Sequence, residues 1–187
     1  PLTGYSLVED TEILETQRRM AREFNLPLVW GTSANLDGRS LSVARDAGVP
    51  AIYAEYLGSA SSSPVGVDAY FDGVLNVMAG FGMIRRTPPT SRIEQIVEDS
   101  RPGSGHMQVC HPAPITGYFE SDVRPGDAVK KGDVIGHVLD FVGQVSRPIP
   151  AEESGRIIVL RTFPRVREGD SVAVIIPDEL ALPLPKS

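Results

Sequence analysis

The alternation of apolar and polar positions divides the chain into two parts with different rhythms. From Glu9 to Phe24, the residues Ile13, Met20, Ala21 and Phe24 recur mostly three, four or seven apart with charges between them, the period of an amphipathic helix. Asp10 and Glu12 stand near its start, where the helix dipole favours acids. No strand is expected ahead of it. Leu26-Pro27-Leu28-Val29-Trp30, stopped by Gly31, reads as a buried strand, and Ser40 to Ala47 as a short helix closed by Gly48. Val49 to Ala54 then reads as a second buried strand, and Val65 to Phe81 as a third helix. Strands separated by helices in this order predict βα units and a mainly parallel, helix-covered sheet.

Between Arg85 and Gly105 the composition shifts to Pro, Ser, Thr, Gly and charge, with only a turn expected at Ile93 to Val97, so the domain boundary is placed near Ser104. Residues 1–104 form the α/β part and residues 105–187 an all-β lobe, with short runs at Val134-Ile135, Arg156 to Leu160 and Ser171 to Ile176. The lobe repeats itself. Val123-Arg124-Pro125-Gly126-Asp127-Ala128-Val129 returns 43 residues later as Val166-Arg167-Glu168-Gly169-Asp170-Ser171-Val172, and Gly-Asp after a strand signals a tight turn. Two such halves predict a closed or nearly closed barrel-sandwich of the biotinyl or lipoyl kind, with these two turns in equivalent places. The carrier chemistry of those domains is not expected, because the stretch Gly136 to Gly155 has no lysine to modify.

Composition narrows the functional classes. The net charge of -6 comes without a basic stripe, and only Lys130, Lys131 and Lys186 are lysines, so nucleic acid is not an expected partner. No apolar run approaches the roughly 20 residues that span a bilayer, and no signal peptide opens the chain, which therefore reads as cytoplasmic. Cys110 is the single cysteine, so an internal disulfide is excluded. Pro1 opens the chain without a methionine, which suggests a piece of something longer.

The segment Gly48 to Gly58 ends a buried strand on a carboxylate, Glu55, followed by a glycine-containing turn. Active sites of open α/β sheets lie at the carboxyl ends of their strands, so Glu55 is the candidate catalytic residue. By pattern alone a solvated edge residue or an arginine partner is the more common reading. The order of a Pro-containing strand, a short helix ending in Gly-Val-Pro, a strand ending in Glu, then Val74-Leu75-Asn76-Val77-Met78 and Gly82-Met83-Ile84 resembles the second half of the catalytic domain of the succinylglutamate desuccinylase/aspartoacylase family. The lobe's opening, His111-Pro112-Ala113-Pro114-Ile115-Thr116-Gly117-Tyr118-Phe119, is similar to that family's C-terminal lobe, so the resemblance covers roughly residues 1 to 176.

The resemblance implies a partial carboxypeptidase-like α/β sheet followed by the β-lobe, and a metal-dependent deacylase cleaving the amide of an N-acyl amino acid or similar small amide. It implies Glu55 as the general base that takes a proton from zinc-bound water and returns it to the leaving amine. The Ala54-Glu55-Tyr56 context looks nearest to members that act on acetylated diamino acids in ectoine breakdown. The family holds zinc with a His and a Glu from an early His-Gly-x-Glu-like motif and with a second His. None of these is in this chain, so zinc is expected in the longer parent, none in this chain alone, and the chain alone is expected to be inactive. No substrate-binding residue is assigned.

The remaining candidates read as structural. In the run from His106 to His111, strand alternation would put His106 and Cys110 on one face and His111 on the other, wrong for a joint metal chelate. His137 reads as a hydrogen-bonded strand residue. Arg45, ten residues before Glu55, suits the carboxyl end of the second helix, with a grip on a substrate carboxylate as the alternative. Tyr53 and Tyr56 read as strand packing, and Ser59 to Ser63 as a loop beside the site. The rival class is a non-catalytic binding or assembly module with a lipoyl-like barrel. The expected partners are a small N-acylated substrate and a second copy of the chain in a homo-oligomer.

Overall fold

The computed structural model describes residues 1–58 and 62–184. They divide into two compact units, residues 1–105 with 181 onward, and residues 106–180. The chain therefore does not stay in the β-lobe to its end, as a boundary near Ser104 alone would have it.

The first unit is mixed α/β. Its strands are β1 (Leu2–Leu7), β2 (Leu28–Ser33), β3 (Tyr53–Glu55) and β4 (Gln95–Asp99), and its helices are α1 (Thr11–Phe24), α2 (Ser40–Asp46) and α3 (Pro64–Gly80). Asp10 caps α1 by accepting from the Glu12 and Ile13 amides at 3.0 and 3.1 Å, and Asn25 ends it in the left-handed conformation. Gly48, at φ 66°, stops α2 as expected. A strand does precede α1, against expectation. β1 escapes the hydrophobic pattern because Thr3 and Ser6 are buried in it; the Thr3 hydroxyl donates to the Ala21 carbonyl at 3.3 Å. Ile93 to Val97, expected as a turn, runs into β4.

A last strand of the chain, β12 (Ala181–Leu182), completes a five-stranded sheet in the order β12-β4-β2-β1-β3. β1, β2 and β4 are parallel, whereas β3 and β12 are antiparallel to their neighbours. The parallel expectation thus holds for the centre and fails at both edges. Tyr5, Ala21, Val29 and Ile96 form the core under α1, and Phe24, Leu26 and Ala69 a second one under α3.

The second unit consists of β5 (Gly117–Ser121), β6 (Ala128–Val129), β7 (Val134–Leu139), β8 (Ser146–Pro150), β9 (Gly155–Leu160), β10 (Arg165–Val166) and β11 (Ala173–Ile176). They form two sheets, β10-β5-β7-β8 and β11-β9-β6, so the closed barrel predicted from the repeat is corrected to two separate sheets over one core that includes Phe119, Ile135, Ile157 and Val172.

The repeat itself is real but pairs differently. Three turns share one geometry, in which a Gly-Asp pair closes a turn on the residue two before the glycine. The Asp127, Asp133 and Asp170 carboxylates accept from the Arg124, Lys130 and Arg167 amides at 2.8, 2.8 and 3.0 Å, and Gly126, Gly132 and Gly169 all have positive φ. Each turn also makes a reciprocal pair of long-range bonds: Gly126 donates to the Ile157 carbonyl at 2.7 Å and Ile157 to the Asp127 carbonyl at 2.9 Å. Gly132 donates to the Ala151 carbonyl and Ala151 to the Asp133 carbonyl, at 2.8 and 2.7 Å. Gly169 and Ala113, then Ala113 and Asp170, repeat this at 2.9 and 2.8 Å. Val129 opposes Gly155 as Val166 opposes Gly117. By this register Gly169-Asp170 answers Gly132-Asp133, although the turn at Gly126-Asp127 makes the same reciprocal bonds.

Candidate active site

Glu55 ends β3, where it stands opposite Leu2, the first residue of β1. Because β3 runs against β1, Glu55 lies at the edge where β1 and β2 begin, not at the carboxyl ends of the parallel strands as the sequence argument had it. Its side chain is exposed. Register partners share a face, so Glu55 and Tyr53 lie on the face of Leu2 and Gly4, opposite the face where Tyr5 packs with Ala21 of α1. Gly4 is needed there, since a Cβ on it would run into the Tyr53 ring. Burial first, and then the Glu55 charge, push the Tyr53 phenol upward in pKa, while Arg39 opposes them. The phenol is thus a neutral hydrogen-bond donor beside the carboxylate.

Arg39 was passed over in the sequence. It occupies the N-cap of α2, where a side-chain oxygen is wanted, and has none to offer. Ser42 does the capping, accepting from the Arg39 amide at 3.0 Å and donating to the Arg39 carbonyl at 2.6 Å. A cation at a helix amino end is opposed by the dipole, and the Arg39 Nε and Nη2 are buried with no hydrogen-bond acceptor. Unmet donors on buried atoms cost several kcal/mol in general, which makes Arg39 a candidate to meet a ligand. The legible signal was an arginine at a capping position.

Arg45, by contrast, is fully engaged. It bonds Asp46 and Asp37 at 2.8 Å each and also the Ala34 carbonyl, tying down the loop before α2. Tyr56 packs as expected, over Gly66 and edge-on to Tyr70, whose hydroxyl donates to the Ala54 carbonyl at 2.6 Å. Of the loop from Ser59 to Ser63, Ser59 to Ser61 lie outside the described residues; Ser63 caps α3 by accepting from the Gly66 amide at 3.0 Å.

The run from His106 to His111 is a series of turns, so the strand alternation assumed for it does not exist. His111 is buried, with φ 46°, and its Nδ1 lies 3.1 Å from the Ala173 carbonyl while its Nε2 accepts from the Glu152 amide at 3.2 Å. Both ring nitrogens are spent on backbone. Burial, with the charges of Glu152 and Glu153, pushes the Cys110 thiol up, away from reactive thiolate. His137, on β7, pairs with Asp122 at 3.0 Å. Among the described residues no group of three or more His, Cys, Asp or Glu is placed to hold a metal, so the residues of this chain do not fit a zinc shell. No helix among the described residues is long and apolar enough to cross a membrane.

No protein-family model and no curated protein matches the chain. Solved structures do. The chain is similar to the product-bound ectoine utilization protein EutE (DoeB) from Ruegeria pomeroyi, with TM-score 0.80 and 21% identity over 93% of this chain and 52% of that one. A succinylglutamate desuccinylase from Silicibacter sp. TM1040 gives TM-score 0.80 and 19% identity over 93% and 52%. A succinylglutamate desuccinylase/aspartoacylase from Rhodobacter sphaeroides gives 0.77 and 24% over 94% and 53%. The chain thus spans about half the length of the structures it matches. Likeness at these identities is likeness of fold, and nearly the whole chain has the fold of about half of a succinylglutamate desuccinylase/aspartoacylase family protein.

Proposed function

We propose that this chain serves a deacylase that hydrolyses the amide of a small N-acylated amino acid, with Glu55 as general base and Arg39 as the anchor for a substrate carboxylate. The observation that carries the reading is the half-buried Arg39, whose Nε and Nη2 are buried without an acceptor and which is close enough to Tyr53 to act on the same phenol as Glu55. A planar guanidinium with free N–H groups suits a carboxylate, and the reading supplies the acceptor that the free protein lacks. Glu55, exposed at the end of β3, takes the proton of the attacking water as its oxygen bonds to the acyl carbon. It returns that proton to the amine nitrogen as the C–N bond breaks, giving a carboxylic acid and a free amino acid. Zinc, in this reading, is held by residues outside this chain. The fold neighbours support it: one is a product-bound ectoine utilization protein and another a succinylglutamate desuccinylase.

The test is a pair of variants in the natural protein, assayed for release of free amine from N-acetylated diamino acids and other N-acyl amino acids. Glu55→Gln is expected to lower kcat by about 10²- to 10⁴-fold with KM and thermal stability little changed. Arg39→Gln is expected to raise KM for carboxylate substrates while leaving amides without a carboxylate unaffected. Normal kcat in stable Glu55→Gln protein would remove Glu55 from the mechanism, and equal effects of Arg39→Gln on both substrate types would remove the carboxylate anchor.

A further inference from the structure

Arg39 is not alone in lacking an acceptor. Trp30 Nε1 and Thr32 Oγ1 are also buried without a hydrogen-bond partner, in side chains 3% and 0% exposed. Trp30 stands opposite Gly4, and Gly4 opposite Tyr53, so indole and phenol flank Gly4 on one face of the sheet. Because Gly4 has no side chain, the Tyr53 ring leans over it, with its hydroxyl 2.5 Å from where a Cβ would stand. That carries the hydroxyl from β3 across β1 toward Trp30, and Arg39 acts on the same phenol. An indole N–H, a guanidinium and a neutral phenol thus collect around one glycine, and each of them donates. Native interiors rarely leave the donors of two side chains unmet in one place, because each costs its desolvation. Thr32 lies one row further along the strands, opposite Asp99, where a carboxylate repels an anion, so it is left out of the group.

We propose that Trp30 Nε1, the Tyr53 hydroxyl and Arg39 form one cradle for a single carboxylate, and that the amine half of the substrate is an amino acid with one carboxylate rather than two. The proposal rests on the reading of Arg39 as a carboxylate anchor and adds Trp30 and Tyr53 to it as specificity residues. One carboxylate has lone pairs enough for the guanidinium fork, the indole and the phenol together. The surrounding charges set the limit of one. Arg39 brings one positive charge, and Arg45, its neighbour in α2, is spent on Asp37, Asp46 and the Ala34 carbonyl. Glu55, and Asp99 with its partner Arg101, stand on the same face one row to either side of Gly4 and Trp30. A second carboxylate, such as the side chain of aspartate or glutamate, enters the field of these acids with the donors already taken.

Trp30 is the one tryptophan of the chain, so its indole N–H gives a single NMR signal that reports on the cradle directly. The whole chain, isotope-labelled, is titrated at constant ionic strength with N-acetylalanine, N-acetylaspartate and inorganic phosphate. The expected result is a saturable downfield shift of the indole N–H with N-acetylalanine, matched in midpoint by the Arg39 Nε–H, and binding about 10-fold weaker for the two more highly charged probes. Trp30→Phe, followed on the Arg39 signal, should bind N-acetylalanine about 10-fold more weakly, the loss of one hydrogen bond to a charged group. Arg39→Gln should abolish the indole shift. An indole signal that does not move, or N-acetylaspartate or phosphate binding as tightly as N-acetylalanine, overturns the proposal in the unaltered chain, whether or not Trp30→Phe folds. Unchanged affinity in folded Trp30→Phe, with binding lost in Arg39→Gln, overturns the cradle and leaves the anchor standing. Undiminished binding by Arg39→Gln removes the anchor as well.

Discussion

Glu98 shows how one carboxylate can be fixed by its surroundings. It accepts from the Tyr5 hydroxyl and bidentately from Arg18, three bonds at 2.6 Å. Burial works to raise its pKa, but the bonds from Arg18 and Tyr5 and the Arg18 charge outweigh it, and the net shift is downward. A carboxylate depressed in the folded state adds stability that is complete above its ordinary range and disappears as pH falls through the lowered folded value. Glu98→Gln should therefore cost about 2 kcal/mol at neutral pH and flatten the acid limb of the stability curve, measured by urea unfolding from neutral pH downward. His111 makes a different case. Its replacement by Ala leaves the Ala173 carbonyl and the Glu152 amide without partners, so a loss of about 2 kcal/mol is expected in denaturant unfolding. Neither role was legible in the sequence, because Glu98 reads as one acid among 24 Asp and Glu residues, and His111 was judged by an alternation that its turn does not follow.

Elements were legible where one face alone is buried. α1 has that pattern, and only Gln17 interrupts it; buried on the core face, it donates to the Ser6 carbonyl at 2.9 Å. β1 lacks the pattern because its polar residues are satisfied inside the core, and β4 was hidden by the polar stretch in front of it. The Gly-Asp repeat was visible in the letters, while its partner is set by a strand register, Val129 opposite Gly155 and Val166 opposite Gly117, that no local pattern encodes. If the three turns are alike, Asp127→Ala, Asp133→Ala and Asp170→Ala should each destabilise the second unit by a similar amount, about 1 kcal/mol. Thermal unfolding of the three variants checks this, and one near-neutral member would show that its turn is held by something else. At the candidate site, Glu55 was expected at the carboxyl ends of parallel strands, whereas β3 runs against β1 and puts it at their other end; the unmet donors of Arg39 needed the structure, since only burial shows them.

On the scale of the molecule, each unit has its own core, so residues 106–180 expressed alone should fold and melt cooperatively in circular dichroism. With no metal cluster among its described residues, the whole chain is expected to retain less than one zinc per molecule after dialysis, as read by elemental analysis. The return of β12 to β4 has a further consequence. These two strands are antiparallel neighbours, Ala181 opposite Val97, so within the first unit they form a hairpin whose connecting loop, residues 100–180, contains the whole of the second unit. While that unit is folded, its chain adds little entropy to the loop. Once it unfolds, the two strands are held together across some eighty residues of random coil, and relative to a loop of a few residues the closure entropy rises by about 2 kcal/mol. A two-residue edge strand has little with which to resist such a change, so β12 should detach whenever the second unit melts, linking the two units through chain statistics alone.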